Sequence, residues 1–173
     1  TQEYIDQLTR LADDLKELNR MLNSLLELAQ INGDNPIQLM PVTIDEVIYI
    51  AIQKVSLKFI DRKIIFKIDY PENSNELFIS GNPDLLVIAF KNLFENACKF
   101  SSEDVIIESF INEHAIIVNV IDRGIGIPIN EIDFIYSPFK RASNAKYKGG
   151  YGIGLSLVKR IIELHQAHLT VSS

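Results

Sequence analysis

One stretch combines a helical pattern of apolar residues with more polar residues than a core helix needs: Asn92-Leu93-Phe94-Glu95-Asn96-Ala97-Cys98-Lys99-Phe100. On a helix, four polar side chains recur at steps of three and four and share one face: Asn92, Glu95, Asn96 and Lys99. Amide and carboxylate oxygens are hard ligands suited to Mg²⁺, and a lysine one turn further on can meet a phosphate. A solvated helix face would look the same, so this stretch needs support from other segments.

A first glycine segment, Asp122-Arg123-Gly124-Ile125-Gly126-Ile127-Pro128, follows directly after the strand-like residues 115–121. An aspartate at a strand end can accept a hydrogen bond from an exocyclic amine such as that of adenine. The two glycines let the backbone approach a flat ligand. A plain turn is the alternative interpretation.

A second glycine segment, Gly149-Gly150-Tyr151-Gly152-Ile153-Gly154-Leu155, opens the last predicted helix. Glycines at a helix N-terminus leave backbone N–H groups and the positive end of the helix dipole accessible to phosphate oxygens. The spacing is neither that of a Walker A loop nor that of a Rossmann loop. The three segments together predict a nucleotide site of another type.

The elements around these segments mix strands and helices without the regular alternation of a doubly wound parallel sheet. We expect helices at about 43–59, 83–100 and 153–165, and strands at 40–42, 64–69, 77–79, 105–111, 115–121 and from 169 onward. Thr43 with Glu46, and Asn82 followed by Pro83, predict the starts of the first two helices. The pattern predicts an α+β fold, a two-layer sandwich of about three helices on a mixed, mainly antiparallel sheet, preceded by one long helix.

That long helix is predicted by a heptad pattern near the start of the chain. Its side chains are spaced alternately by four and three residues: Tyr4, Leu8, Leu11, Leu15, Leu18, Leu22, Leu25 and Ala29. The pattern favours a helix that packs in a bundle or coiled coil, and an amphipathic helix lying on its own domain is the alternative. Gly33-Asp34-Asn35-Pro36 breaks the pattern, which divides the chain into residues 1–33 and 37–173.

Composition limits the other possibilities. The 173 residues fit one domain with an appended element, and the net charge of -6 does not favour nucleic acid or an anionic membrane as a partner. A single cysteine, Cys98, excludes an intrachain disulfide and fits a reducing compartment. Because the chain opens at Thr1 and stops after Ser173, we expect a fragment of a longer protein, and a membrane-anchored parent stays open.

The order of the segments resembles that of the sensor histidine kinases, within the superfamily of gyrase, heat-shock chaperone, histidine kinase and MutL ATPases with the Bergerat-type ATP-binding fold. Four stretches match the family's boxes in order: the N box at 92–99, the first glycine box at 122–126, the F box Phe139-Lys140-Arg141, and the second glycine box at 150–154. The first helix, which contains Leu25-Leu26-Glu27-Leu28-Ala29, is similar to the second helix of the family's dimerisation and phosphotransfer bundle.

The resemblance implies ATP and Mg²⁺ as cofactors. Asn96 would coordinate the metal, with Asn92 as a second candidate ligand. Lys99 would contact phosphate, and Glu95 and Lys99 are the implied catalytic side chains. The adenine pocket would contain Phe100, Asp122, Gly124, Gly126 and Ile127.

The phosphates would lie against the second glycine box, formed by Gly150, Gly152, Gly154 and Leu155. A lid from Arg141 to Gly149, anchored by Phe139, would cover them. Arg141, Lys146 and Lys148 are candidate contacts for the γ-phosphate, although for the two lysines a merely solvated loop is the favoured interpretation.

The phosphoacceptor histidine of the family, which an acidic residue follows, has no counterpart here. We interpret His114, His165 and His168 as structural, so this fragment alone is not expected to autophosphorylate. Arg123 stands where the family usually has Asn, and Gln166-Ala167 replaces its usual Gly-Gly pair.

Two functions of different classes follow. The first is the Mg-ATP-binding catalytic domain of a protein-histidine kinase that would donate the γ-phosphoryl to a histidine of a dimeric bundle, for relay to a response regulator receiver domain. Such a parent would dimerise through the bundle helix, bind no nucleic acid, and place this domain in the cytoplasm beneath a bacterial inner membrane. The second is a degenerate nucleotide-sensing module for dimerisation or phosphatase control. A gyrase- or MutL-type ATPase is disfavoured, because those enzymes have a catalytic glutamate where this chain has Asn92.

Overall fold

The structure, a computed structural model, describes residues 37–71, 78–112, 115–148 and 150–173, and for 146–148 the backbone alone. Nearer the amino terminus it describes positions 4, 5, 7, 8, 9, 11, 12, 15, 19, 22, 23, 26 and 29. Every one of these thirteen positions is helical, which agrees with the predicted first helix; we label this segment α1.

The described heptad side chains of α1 lie open to solvent. Tyr4 is 72% exposed, Leu8 65% and Leu22 54%. The heptad positions Leu18 and Leu25, and the predicted boundary at 33–36, lie outside the described residues.

The strands form two small sheets. The first pairs β1 (Met40–Thr43) with β3 (Phe78–Gly81) in antiparallel orientation. In the second, β4 (Val105–Asn112) lies between β2 (Ile64–Asp69), which is parallel to it, and β5 (Ala115–Ile121), which is antiparallel. The predicted mixed sheet and its hairpin of β4 and β5 are confirmed.

Three helices follow the predicted order: α2 (Ile44–Ser56), α3 (Pro83–Phe100) and α4 (Gly154–Leu164). Helix α3 begins after Asn82 as predicted, and the Asn82 side chain caps it by accepting a hydrogen bond from the backbone N–H of Leu85 at 3.1 Å. Thr43 is the N-cap of α2, so the predicted start of this helix is confirmed, although the Thr43 side chain makes no capping bond.

The α2 helix is also shorter than predicted, since it ends at Ser56 rather than near Phe59. At this end the N–H of Lys58 donates to the carbonyl of Val55, only three residues back. This tighter bond departs from the regular i to i−4 pattern of the helix.

The core has two parts, with α3 in the middle. On one side, Ile48 of α2, Phe94 of α3 and Ile107 of β4 are fully buried together. On the other side, Ala89 of α3 packs with α4 through Leu157. Full burial of one large apolar side chain stabilises a fold by about 1.5–3 kcal/mol, so both layers hold α3 firmly in place.

The predicted final strand from Leu169 is wrong: residues 169–173 form no strand. A strand needs a ladder of backbone hydrogen bonds to a neighbour. The contact of this segment with the first glycine segment instead uses a side chain, because the Ser173 Oγ accepts from the N–H of Ile127 at 2.6 Å.

Candidate functional site

Asn92 lies on α3 where this helix meets the start of α4. Its Nδ2 donates to the Ile88 carbonyl at 2.9 Å, which orients the amide within the helix. The Oδ1 then lies 2.8 Å from where a Cβ at Gly154 would be. The absence of a side chain at Gly154 therefore lets the first turn of α4 approach the Asn92 amide oxygen.

Lys99, two turns further along α3, lies beside the second glycine segment. A Cβ at Gly150 would be 2.7 Å from the Lys99 Nζ. The same Nζ lies 4.9 Å from the centre of the Phe100 ring, a cation–π distance. An ammonium group and an aromatic ring thus lie side by side next to Gly150, and Asn96 is half-buried on the same helix.

Glu95 lies at the edge of this face and contacts α2. Its Oε2 is 2.9 Å from the Nζ of Lys58, which follows the end of that helix. The Glu95 carboxylate is 26% exposed, so the pair is partly shielded from water. The arrangement binds Glu95 to the neighbouring helix, whereas Asn92 and Lys99 approach the glycine residues.

The first glycine segment is attached to the end of α3. The N–H of Ile125 donates to the Phe100 carbonyl at 3.3 Å, and a Cβ at Gly124 would be only 2.7 Å from that oxygen. The exposed Asp122 accepts a hydrogen bond from the Gly124 N–H at 2.8 Å through Oδ1. One carboxylate oxygen therefore shapes the loop, and the carboxylate as a whole lies at the surface next to a loop that contacts the Phe100 backbone.

The next residues of this loop contact the predicted lid. The sequence did not predict this contact. Asn144 donates through Nδ2 to the carbonyls of Ile125, at 3.3 Å, and of Gly126, at 3.0 Å. Gly126 has a φ of 67°, a backbone conformation that favours glycine. Ile127 is half-buried next to it. An amide in a lid next to glycines is only a weak sequence signal, and nothing in the sequence points to the Ser173 contact.

The second glycine segment needs glycine for its conformation as well as for space. Gly150 and Gly152 have φ values of 91° and 73°. A Cβ at Gly152 would lie 2.4 Å from the Lys140 carbonyl oxygen, closer than any real Cβ contact. The carbonyl of Gly152 accepts from the N–H of Phe139 at 3.0 Å, which ties this segment to the F box.

The start of α4 presents backbone N–H groups. Its N-cap is Ile153, and no side chain among the described residues caps the helix there. Helix starts leave up to four N–H groups without an intrahelical partner, and they attract anions. Leu155, in this first turn, is half-buried.

The residues of the predicted lid differ in their exposure and in their hydrogen bonds. Phe139 has a φ of 64° and is 55% exposed, so its contact with the second glycine segment is made by its backbone rather than by burial of its ring. Arg141 donates to the carbonyl of Ala145 within the lid. The side chains of Lys146 and Lys148 lie outside the described residues.

Burial favours the neutral form of two ionisable side chains, Cys98 and Tyr136. Burial raises the pKa of the Cys98 thiol, and Cys98 lies on the buried side of α3 behind the polar face. Burial also raises the pKa of Tyr136, whose ring lies 5.4 Å from the Nζ of Lys159. Neither group is activated as a nucleophile.

Among the described residues, no group of three or more His, Cys, Asp or Glu side chains is placed to hold a metal ion. No helix in that part of the chain is long and apolar enough to cross a membrane. His114 lies outside the described residues, and His168 is exposed.

Known proteins resemble the chain in sequence. Residues 81–173 match the family described as histidine kinase-, DNA gyrase B- and HSP90-like ATPase. The sensor protein kinase WalK of Staphylococcus aureus is 30% identical over an alignment of 181 residues, which covers 100% of this chain and 40% of that protein. WalK of Staphylococcus saprophyticus is 27% identical over 169 residues, which covers 93% of this chain and 27% of that protein. The chain thus spans less than half the length of these relatives.

Solved structures share the fold. Full-length ShkA, solved in complex with AMPPNP, aligns with a TM-score of 0.73 at 21% identity, over 95% of this chain and 34% of ShkA. This likeness confirms the predicted α+β architecture. Because the family match covers more than half of the residues, the chain belongs to the histidine kinase-, DNA gyrase B- and HSP90-like ATPases and contains their ATP-binding domain.

Proposed function

We propose that the chain is the Mg-ATP-binding catalytic domain of a sensor histidine kinase. The observation that carries the proposal is the convergence of α3 on the second glycine segment: the Asn92 oxygen meets Gly154, and the Lys99 ammonium meets Gly150. A helix with only a structural role does not need an amide and a cation against two glycines. A binding site for a nucleoside triphosphate does, because the phosphates need positive charge and close backbone N–H groups.

The residues fit the two ends of ATP. Asp122, on the exposed first glycine segment, would accept the adenine amino group, with Phe100, Gly124, Gly126 and Ile127 around the base. Gly150, Gly152, Gly154 and Leu155 would hold the phosphates through the start of α4, with Lys99 as the fixed cation.

A magnesium ion fits the amide donors of this site. Asn96 would hold it with Asn92 as a second ligand, because amide oxygens are hard donors and Mg²⁺ retains several water molecules when bound. The bound ion would neutralise phosphate charge, while the protein positions the γ-phosphoryl for in-line transfer. Arg141, Lys146 and Lys148 are the lid residues proposed to reach that phosphate, and Phe139 is the proposed lid anchor.

The organisation of the parent protein is part of the proposal. We assign residues 1–33 to the second helix of a dimerisation bundle and residues 37–173 to the ATP-binding domain. The exposed heptad side chains of α1 support dimerisation, and the net charge of -6 supports the absence of a nucleic-acid partner. Since the relatives are named sensor protein kinases, we propose a membrane-anchored parent with this domain in the cytoplasm, and a response regulator receiver domain as the phosphoryl acceptor after the histidine.

A second function has one observation in its favour. Glu95, proposed as catalytic with Lys99, is paired with Lys58, and Arg141 is bonded inside its own lid. A degenerate domain that binds nucleotide without phosphoryl transfer would have the same contacts. Labelled ATP and the full-length protein separate the two functions: a kinase forms an acid-labile, base-stable phosphohistidine, and a degenerate module forms none.

Nucleotide binding itself is tested by calorimetric titration with a non-hydrolysable ATP analogue and with ADP, each with and without Mg²⁺. We expect micromolar binding that Mg²⁺ alters and that Asp122→Asn weakens. Folded protein that binds no adenine nucleotide would contradict the proposal.

A further inference from the structure

Helix α3 contacts both ends of α4, the other helix of the proposed site. At the start of α4, the Oδ1 of Asn92, which is midway along α3, lies against Gly154. At the other end the N–H of Asn82, the cap of α3, donates to the Nε2 of His165, directly after α4, at 2.9 Å. At about 1.5 Å per residue, the two contacts are about 15 Å apart along α3 and about 16 Å apart along α4. The helices therefore run antiparallel. The contact at His165 helps to determine where Gly154 lies along α3.

The hydrogen bonds of His165 indicate which ring nitrogen carries the hydrogen. Its Nδ1 lies 2.7 Å from the Ile161 carbonyl, which can only accept, so Nδ1 carries the hydrogen. Its Nε2 accepts from the Asn82 N–H and carries none. Both ring nitrogens are satisfied only in this neutral tautomer.

The ring is also held by packing. A Cβ at Gly81, the residue before Asn82, would lie 3.1 Å from the Cδ2 of His165 and 2.9 Å from the Cδ1 of Leu86. Gly81 is buried and leaves room for the ring beside the cap of α3. The imidazole thus fills a fitted space between the end of one helix and the start of the other.

We propose that His165 is a positioning residue for the nucleotide site, whose neutral imidazole fixes α4 against α3 and so places Gly154 relative to Asn92. The proposal rests on the assignment of these two helices to the ATP phosphates. It predicts that loss of the Nε2 acceptor weakens nucleotide binding although the ring lies at the far end of α4. Leaving the half-buried Asn82 N–H without an acceptor would also cost stability.

The experiment compares wild type with His165→Gln, His165→Leu and, as a matched control, His168→Gln at an exposed position. Gln can accept from the Asn82 N–H, whereas Leu fills the space and makes no hydrogen bond. Calorimetry with a non-hydrolysable ATP analogue gives the affinity of each variant, and thermal unfolding without nucleotide gives its stability.

We expect His165→Leu to bind the analogue about fivefold more weakly than wild type, at the lower end of couplings between distant sites. His165→Gln and His168→Gln should bind as wild type does, and this rescue by Gln separates positioning from mere filling of the space. Folded His165→Leu with wild-type affinity would overturn the proposal; if His165→Leu does not fold, markedly weaker binding by His165→Gln would overturn it. If wild type binds no nucleotide, the proposed function fails, yet unfolding still tests the contact: a His165→Leu protein as stable as wild type would refute it.

Discussion

The two glycine segments of this protein contain similar residues but are built differently. In the first, Asp122 and Phe100 accept hydrogen bonds from backbone N–H groups, so the loop satisfies its own backbone. In the second, the glycines lead into α4, whose first turn no side chain among the described residues caps. Backbone N–H groups are thus bonded within the first segment, whereas among the described residues no side chain caps those at the helix start of the second.

This difference indicates a division of roles. The first segment has a carboxylate as its distinctive group, and a carboxylate can distinguish a base that donates a hydrogen bond from one that accepts. The second segment has backbone N–H groups and the adjacent ammonium of Lys99, groups that attract the phosphates of any nucleotide. Variants of each segment should therefore change different properties of binding.

Asp122→Asn should have the largest effect. Asn keeps an oxygen for the Gly124 N–H, but it loses the charge and presents an amide N–H₂ to the adenine amine. A hydrogen bond to a charged group contributes about 1.5–3 kcal/mol, so we expect affinity for an ATP analogue to fall about ten- to hundredfold. Calorimetry checks this, with Asp61→Asn, an exposed aspartate elsewhere, as the control. Unchanged affinity in Asp122→Asn would remove this residue from the site.

Gly152→Ala tests the backbone of the second segment. The new Cβ would meet the Lys140 carbonyl, and the φ of 73° is strained for alanine. We expect a loss of about 1–3 kcal/mol in the free energy of unfolding, because such strain costs that much. Denaturant titration measures it, and Asn130→Ala in a neighbouring exposed turn should be near neutral. A Gly152→Ala protein as stable as wild type would show that the segment adapts.

Gly154→Ala separates stability from binding. Gly154 is the first residue of α4, and the atoms that an added Cβ would meet belong to the Asn92 side chain, so the fold should lose little stability. The Cβ would nevertheless displace the Asn92 Oδ1 that lies 2.8 Å away. We expect binding of an ATP analogue with Mg²⁺ to weaken about fivefold, equivalent to about 1 kcal/mol. Equal loss of stability and affinity would mean that the contact is only structural.

Asn144→Ala should have the smallest effect and should change kinetics. It removes two exposed hydrogen bonds between the lid and the first glycine segment. Each such bond contributes about 0.5–1.5 kcal/mol, or less at the surface. Release of a fluorescent ADP analogue should therefore accelerate a few-fold. Stopped-flow measurement tests this, and a release rate equal to that of Asn130→Ala would argue that the lid contact does not retain nucleotide.

Local signals predicted much of this structure. Asn82 followed by Pro83 correctly placed the start of α3, and the glycines of both segments pointed to tight backbone approaches that the structure contains. Such features depend on neighbouring residues, because capping and positive φ are set by one or two positions.

Contacts between distant residues were not predictable in the same way. The pairs Lys58 with Glu95 and Asn82 with His165 form only when helices pack, and no periodicity encodes which charged or ring atoms then meet. The strand expected from Leu169 failed for the same reason, since a strand needs a partner as well as an apolar pattern.

The most direct test of the central claim is the ratio of affinities for ATP and GTP analogues, measured by competition in wild type, Asp122→Asn and Gly154→Ala. If the two segments hold opposite ends of one nucleotide, Asp122→Asn abolishes the preference for adenine. Gly154→Ala then weakens both analogues by the same factor and leaves their ratio unchanged. An unchanged ratio in Asp122→Asn, or an altered ratio in Gly154→Ala, would contradict this division of roles.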